Sequence, residues 1–143
     1  MEANDSTTHN AIVSADRRSV QRFGRGTAMA QVYHHAILPL CNSRDKKTEV
    51  VWGTADFIHR FGRVPEGMWL AETAADIPSL EALAAGGIKF TLLAPRQAKA
   101  IRPIGWDEWS DIGEEGVDST LPYLVQLPSG RSIVVFFLSL IHI

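Results

Sequence analysis

Two short segments of this chain hold residues that could do nucleophilic or acid–base chemistry. One holds the glutamate Glu72, which follows the apolar run Met68-Trp69-Leu70, and the other holds the adjacent pair His34-His35. A carboxylate can act as a nucleophile or a general base, and an imidazole can donate or accept a hydrogen bond. Whether these side chains form one site depends on the elements that carry them.

The sequence around Glu72 predicts a parallel β-α-β unit. The apolar run has the length of a buried strand, and Glu72 stands where that strand would end. Asp76 as an N-cap and Gly86-Gly87 as a stop signal predict a helix over 76–86, and the apolar run 88–93 predicts the next strand. Ligands of parallel sheets bind at the carboxyl ends of the strands, so Glu72 is expected at the edge where chemistry takes place.

Each of these candidates also has a structural interpretation. A carboxylate just before a helix N-terminus is favoured by the helix dipole, although Asp76 already meets that need. A histidine in an apolar segment is often a hydrogen-bonded core residue. Because successive residues point in different directions on a helix and on a strand, only one of His34 and His35 is expected to enter a site.

Several segments of the chain together resemble glycoside hydrolase family 57. Residues 67–74, Gly-Met-Trp-Leu-Ala-Glu-Thr-Ala, resemble the family's nucleophile region, where a Trp-Leu-x-Glu stretch carries the catalytic glutamate at a strand end. Residues 33–40 are similar to an upstream histidine-containing segment that ends in Pro-Leu. Residues 52–70 look like the helix and strand that lead to the nucleophile, and 87–95 like the following strand. The resemblance covers 9–137 and is strongest to a bacterial branch of uncharacterised members.

The resemblance implies a retaining glycoside hydrolase or transglycosidase that acts on α-glucosidic linkages of an α-glucan or oligosaccharide, without a metal or cofactor. Glu72 then takes the place of the nucleophile, which attacks the anomeric carbon. His35 takes the place of a substrate-side histidine that hydrogen-bonds a sugar hydroxyl, and Trp69 and His34 are further substrate-binding candidates. The family's acid/base is an aspartate on a later strand, beyond the matched region, so the chain is expected to be inactive by itself.

The resemblance also implies an α/β fold, namely a fragment of a parallel (β/α)7-type barrel over residues 1–137. Two apolar runs, 123–127 and 131–137, flank Pro128-Ser129-Gly130 and predict a β-hairpin near the C-terminus. Residues 138–143 resemble one reading frame of a sequencing adapter. They are expected to be an adapter-derived tail and not native sequence.

Helical periodicity predicts two longer helices upstream of Glu72. Apolar residues recur with the helical period over 44–61, and Gly62 follows as a stop signal. A second helix is predicted over 11–23, after a polar loop at 1–10. The following Gly24-Arg25-Gly26 predicts a turn, because neither a third glycine nor a phosphate-binding lysine completes a nucleotide motif.

Composition excludes several classes of function. A net charge of −2 gives no reason to expect nucleic acid or an anionic membrane as a partner. Cys41 is the one cysteine, which excludes an internal disulfide and a cysteine-based zinc cluster. The N-terminus lacks the pattern of a signal peptide and no run is long enough to span a membrane, so a cytoplasmic location is expected. No pattern indicates an oligomeric state.

Two other classes of protein fit parts of the sequence. A polysaccharide deacetylase-like metal hydrolase would use His34, His35 and a carboxylate, but adjacent histidines converge poorly on one ion and a His-x3-His spacing is absent. A non-catalytic carbohydrate-binding domain would use tryptophans such as Trp106 and Trp109 as stacking platforms, because sugar faces are apolar. That domain would not need an ionised Glu72.

Overall fold

The fold is taken from a computed structural model, which describes residues 5–113 and 116–138. Most of the tail expected over 138–143, namely 139–143, lies outside the described residues. The helices are α1 (Ser6–Phe23), α2 (Ser43–Phe61) and α3 (Ile77–Ala85), with 3₁₀ turns at Leu38–Leu40, Ala71–Thr73 and Pro95–Gln97. The strands are β1 (Ala30–Gln31), β2 (Met68–Trp69), β3 (Phe90–Leu93), β4 (Ala100–Ile101), β5 (Ser110–Asp111), β6 (Pro122–Gln126) and β7 (Ser132–Phe137).

The two helices on either side of β2 begin and end at the signals that the sequence carries. The Asn42 side chain caps α2 by accepting a hydrogen bond from the Asp45 N–H at 2.9 Å, and Gly62 ends the helix with a left-handed φ of 70°. Asp76 caps α3 by accepting from the Ser79 N–H at 2.8 Å. Both predicted helices are confirmed, because caps and apolar periodicity are local signals.

The first helix begins earlier than predicted. Asp5 is its N-cap and accepts a hydrogen bond from the Thr8 N–H at 3.0 Å, so the loop predicted over 1–10 is wrong from Ser6 onward. Residues 1–4 lie outside the described residues. The polar composition of this first turn concealed the helix, since its side chains are almost all exposed.

The strands that precede the candidate residues are parallel neighbours. β1 pairs with β2 through Ala30–Met68 and Gln31–Trp69, with α2 as the connection. A parallel bridge between Gly67 and Phe90 links the segment of β2 to β3, with α3 between them. Two successive β-α-β units therefore place the ends of β1, β2 and β3 at one edge. The α/β class and the unit predicted around Glu72 agree with this arrangement.

The predicted C-terminal hairpin is present and extends the sheet. β6 and β7 are antiparallel, from the Pro122–Phe136 pair to the Gln126–Ser132 pair. β7 also pairs with β3 in parallel register, so the order of this part is β3-β7-β6. The hairpin thus adds a fourth strand that runs parallel to β1, β2 and β3.

The core lies between the sheet and the two helices α2 and α3. Its fully buried side chains include Leu38, Met68, Leu70, Leu83 and Ile133. Met68 belongs to β2 and Leu70 follows it directly, so the burial of these two side chains anchors the segment that leads to Glu72. Burying side chains of this size contributes about 1.5–3 kcal/mol each.

α2 lies directly against the end of β1 because it presents a glycine there. A Cβ atom on Gly53 would stand 2.1 Å from the carbonyl oxygen of Gln31, a separation that no side chain can adopt. The missing side chain lets the helix backbone approach the strand. This contact fixes α2 next to the segment that carries His34 and His35.

An ion pair between a buried carboxylate and a partly buried guanidinium joins α1 to the segment before β2. Asp16 is 2% exposed and accepts hydrogen bonds from Arg63 Nε at 2.9 Å and Nη2 at 2.8 Å. The backbone of Ala28 completes the group, since its N–H donates to Asp16 at 2.7 Å and its carbonyl accepts from Arg63 at 2.8 Å. A Cβ on Gly26 would lie 2.2 Å from Arg63 Nη2, so the second glycine of the Gly24-Arg25-Gly26 turn packs on this pair.

We expect the protein to lose stability in acid because the stabilising contribution of the Asp16 carboxylate is lost there. Hydrogen bonds from Arg63 hold the pKa of the Asp16 carboxyl below its ordinary value of 3.8. A carboxyl whose pKa is lower in the folded state stabilises the fold above its unfolded pKa and loses that contribution as the pH falls through the folded value. Urea unfolding at about pH 7 and about pH 3 measures this loss. Asp16→Asn should show a smaller loss than wild type, and equal losses would contradict the prediction.

Candidate active site

The fold brings the two segments with possible chemistry together. His35 lies in the segment after β1 and Glu72 follows β2, and β1 and β2 are parallel partners. Their side chains meet at the carboxyl edge of the strands, where His35 Nε2 lies 3.5 Å from Glu72 Oε1. An imidazole and a carboxylate from different segments thus converge at the edge where parallel sheets bind ligands.

Both residues have a backbone conformation that is unusual for their type. His35 has a φ of 55° and Glu72 a φ of 56°, and Thr73 follows with 52°. These are the non-glycine residues with positive φ among those the structure describes. A left-handed backbone costs such a residue about 1–2 kcal/mol. Strain of this kind persists where the surroundings enforce it, and it clusters at functional sites.

The surroundings that hold Glu72 are a 3₁₀ turn on a buried base. The Thr73 N–H donates to the Leu70 carbonyl and the Ala74 N–H to the Ala71 carbonyl, both at 3.0 Å. Leu70 and Ala71 are both buried, whereas the Glu72 side chain between these hydrogen bonds is 70% exposed. The turn therefore holds its base in the core and leaves the carboxylate exposed to solvent.

His34 and His35 diverge. The His35 side chain is 63% exposed and approaches Glu72. His34 instead binds Glu49 of α2: its Nδ1 lies 2.7 Å from Oε1, and its backbone N–H donates to Oε2 at 2.8 Å. The His34 ring also packs edge-on against Tyr33, with ring centroids 4.7 Å apart. The two histidines thus have different partners, and His35 is the one next to Glu72.

Trp69 is the last residue of β2 and leads into the Glu72 turn. Its carbonyl accepts a hydrogen bond from the Val32 N–H at 3.4 Å, which continues the pairing with the β1 segment. Its side chain is partly buried. Trp69 therefore helps to fix the strand end from which Glu72 projects.

Sequence reasoning missed two charged residues beneath this site, Lys46 and Glu49. Both are buried on α2, on the face that also holds Val50, Gly53 and Phe57. Lys46 Nζ donates to the Leu38 carbonyl and lies 3.4 Å from Asp76 Oδ2. The signal in the sequence was their helical spacing relative to the apolar face.

Trp106 and Trp109, the predicted stacking candidates, lie in the loop between β4 and β5 and are 64% and 60% exposed. The guanidinium of Arg102 stands over the Trp109 ring, 4.7 Å from its centroid. A cation above the ring of an exposed tryptophan is attracted by about 0.5–1 kcal/mol. Both rings are accessible to a ligand.

Neither a metal-ligand cluster nor a membrane-spanning helix is found in the described parts of the chain. Over residues 5–113 and 116–138, no group of three or more His, Cys, Asp or Glu side chains is arranged to hold an ion. In the same ranges, no helix is both long and apolar enough to cross a bilayer.

We expect Glu72→Gly to raise the free energy of unfolding by about 1 kcal/mol, because glycine adopts the left-handed backbone without strain. The contact that is lost, between two exposed side chains, contributes little. The matched control is Lys47→Gly on the exposed face of α2, which should lower the free energy of unfolding by about 1 kcal/mol. Chemical denaturation compares the two variants, and destabilisation by Glu72→Gly would show that the backbone there is not strained.

The family model of glycosyl hydrolase family 57 matches residues 12–138. The match includes both strands, the connecting helix and the turn that present His35 and Glu72. The chain belongs to glycosyl hydrolase family 57. The resemblance that the sequence motifs carry is thereby confirmed. None of the curated proteins compared with this family 57 chain matches it significantly.

Solved structures share the fold at low sequence identity. The 4-α-glucanotransferase from Thermococcus litoralis aligns with a TM-score of 0.69 and 17% identity, over 96% of this chain and 19% of that one. A family 57 branching enzyme from Thermococcus kodakaraensis gives 0.57 and 20%, over 85% and 24%. An α-amylase from Thermotoga maritima gives 0.59 and 20%, over 91% and 24%. The family 57 chain thus spans about a quarter or less of these enzymes.

Proposed function

We propose that this chain is part of a retaining glycoside hydrolase or transglycosidase that acts on α-glucosidic linkages, with Glu72 as its nucleophile. Family membership supports the reaction class, and the fold is shared with a glucanotransferase, a branching enzyme and an α-amylase. The observation that carries the proposal is the exposed Glu72 carboxylate on a strained turn at a strand end, 3.5 Å from His35.

In the proposed reaction, a Glu72 oxygen attacks the anomeric carbon of an α-glucoside. The new carbon–oxygen bond forms an ester as the glycosidic bond breaks, and the leaving oxygen takes a proton from a general acid. Water or a sugar hydroxyl, deprotonated by the same acid/base group, then displaces Glu72 with net retention. Water gives hydrolysis, and an acceptor sugar gives transfer.

The second carboxyl group of this mechanism must lie about 5–5.5 Å from the nucleophile. We propose that an aspartate on a later strand of a longer enzyme supplies it. The described residues would then hold half of a catalytic pair and have no turnover by themselves. The much greater length of the structurally similar enzymes supports this proposal.

The residues around Glu72 have supporting roles in this proposal. His35 donates or accepts a hydrogen bond to a sugar hydroxyl and holds the ring beside the Glu72 carboxylate. Trp69 borders the proposed sugar-binding site at the strand end. His34 is a further substrate-binding candidate, since its side chain is 57% exposed, and its contact with Glu49 also positions its neighbour His35.

We also propose that β1, β2, β3 and β7 belong to a parallel (β/α)7-type barrel. Their common direction and the helices between the first three support this. A barrel would place further strand ends, and thus the missing carboxyl group, around Glu72.

The stereochemistry of the first product tests the proposed reaction. The full-length enzyme is incubated with a malto-oligosaccharide, and the anomeric proton signals are followed by NMR before mutarotation. We expect the α-anomer first, as retention requires. Initial release of the β-anomer would contradict Glu72 as a nucleophile, and sugar binding without turnover would favour the carbohydrate-binding alternative.

A further inference from the structure

Two charged side chains of α2 are buried beneath the segments that carry His35 and Glu72. Lys46 is 5% exposed and Glu49 is 8% exposed. Lysine and glutamate are almost never this buried unless they are paired, because desolvation of a charge is costly. Residues three apart lie on the same face of a helix, so both side chains point from α2 towards the same region.

Glu49 holds the turn that precedes His35. Its Oε2 accepts a hydrogen bond from the backbone N–H of His34 at 2.8 Å, and its Oε1 lies 2.7 Å from the ring Nδ1 of the same residue. Backbone and ring of His34 are thus tied to one rigid helix. The left-handed backbone of His35 follows directly, and it turns the His35 side chain towards Glu72.

Lys46 connects the segment after β1 with the segment after β2. Its Nζ donates to the carbonyl of Leu38, three residues beyond His35, and lies 3.4 Å from Asp76 Oδ2, four residues beyond Glu72. Asp76 is itself anchored, because it caps α3 through the Ser79 N–H at 2.8 Å. One buried ammonium group therefore spans both segments.

We propose that Lys46 and Glu49 are positioning residues, which together set the distance between His35 and Glu72. Each acts through other groups: Glu49 through His34, and Lys46 through Leu38 and Asp76. The catalytic meaning of that distance rests on the proposed function, whereas the geometric role does not. Neither residue needs to contact a substrate.

The geometric role is tested by NMR on the 143-residue chain, through the NOE between the His35 ring protons and the Glu72 side chain. Glu49→Ala and Lys46→Met should each remove this NOE and leave the core methyl signals of Leu83 and Ile133 in place. Lys47→Met, on the exposed face of α2, is the matched control and should keep it. A wild-type NOE in both Glu49→Ala and Lys46→Met would overturn the proposal.

The conservative variant separates positioning from mere burial. Glu49→Gln keeps an oxygen for the His34 N–H and an N–H for an unprotonated Nδ1, so it should retain the NOE. If Glu49→Ala does not fold, Glu49→Asp takes its place, and we expect the shorter side chain to weaken the NOE. An NOE of wild-type intensity in Glu49→Asp would contradict the role of Glu49.

Kinetics of the full-length enzyme give the second readout. Glu49→Ala should lower kcat by roughly 100-fold, as expected for misplacement of a reacting group by about 1 Å. KM should stay within about threefold, and Glu49→Gln should restore most of kcat. If Glu72 has no catalytic role, the NOE results still hold; if the NOE persists in the variants, the positioning role fails while Glu72 chemistry is unaffected.

Discussion

Replacing Glu72 with glutamine in the full-length enzyme should reduce kcat by roughly 10⁴-fold or more, in the range seen when one essential group of a catalytic set is removed. The amide preserves the size of the side chain but cannot attack the anomeric carbon. KM should change little, because the amide can still form hydrogen bonds with a sugar. Steady-state kinetics on a malto-oligosaccharide measure both constants.

The matched control for this variant is Glu81→Gln. Glu81 lies on α3 and accepts hydrogen bonds from Ser129 in the β6–β7 turn. This turn precedes β7, which runs parallel to β3, so Glu81 lies near the amino edge of the strands and Glu72 at the carboxyl edge. We expect its kcat to stay near wild type. Unchanged turnover in Glu72→Gln would remove Glu72 from the mechanism and return it to a structural role at the strand end.

Arg63→Ala should lower the free energy of unfolding by about 3–5 kcal/mol, because it leaves the buried Asp16 carboxylate without its cation. The pair joins residues 47 positions apart, and Arg63 also donates to the Ala28 carbonyl. A domain of this size is stable by only about 5–15 kcal/mol, so a large part of its stability would be lost. Urea denaturation measures the change.

Arg25→Ala is the control for Arg63→Ala, since it removes the same charge from an exposed pair. Arg25 bonds to Glu66, but its side chain is 71% exposed. Exposed pairs contribute about 0–1 kcal/mol, so this variant should remain close to wild type. Similar losses in the two variants would show that the Asp16–Arg63 pair has no special role in the fold.

The elements that sequence reasoning recovered are those whose signals are local. α2 and α3 have capping residues, stop glycines and apolar periodicity within a few residues of each other. The hairpin is bounded by a turn of Pro, Ser and Gly. The start of α1 was missed because its first turn is polar, although Asp5 supplies an N-cap.

Long-range contacts could not be predicted in the same way. Nothing near Asp16 in the sequence indicates that Arg63 will lie against it, because the pairing depends on how α1 packs. Lys46 and Glu49 resemble ordinary surface charges until their register with the buried face of α2 is known. The parallel pairing of β7 with β3 could not be predicted either, since a hairpin sequence does not specify which further strand pairs with it.

The sequence predicted the position of Glu72 in the fold but not its closeness to His35. A glutamate after a buried strand indicates the carboxyl edge of a sheet, so Glu72 could be placed there from local pattern alone. Its closeness to His35 required the parallel pairing of β1 with β2, and β1 is only two residues long. The left-handed backbone of both residues has no reliable sequence signal, because only a few per cent of non-glycine residues adopt it, although histidine does so more often than glutamate.

The most direct test of Glu72 as the nucleophile is to trap its covalent intermediate. The full-length enzyme is incubated with a mechanism-based fluoroglucosyl label, digested, and mapped by mass spectrometry. We expect one added glucosyl group on the peptide that contains Glu72. A label on another residue, or no label in an enzyme that turns over α-glucans, would contradict the assignment.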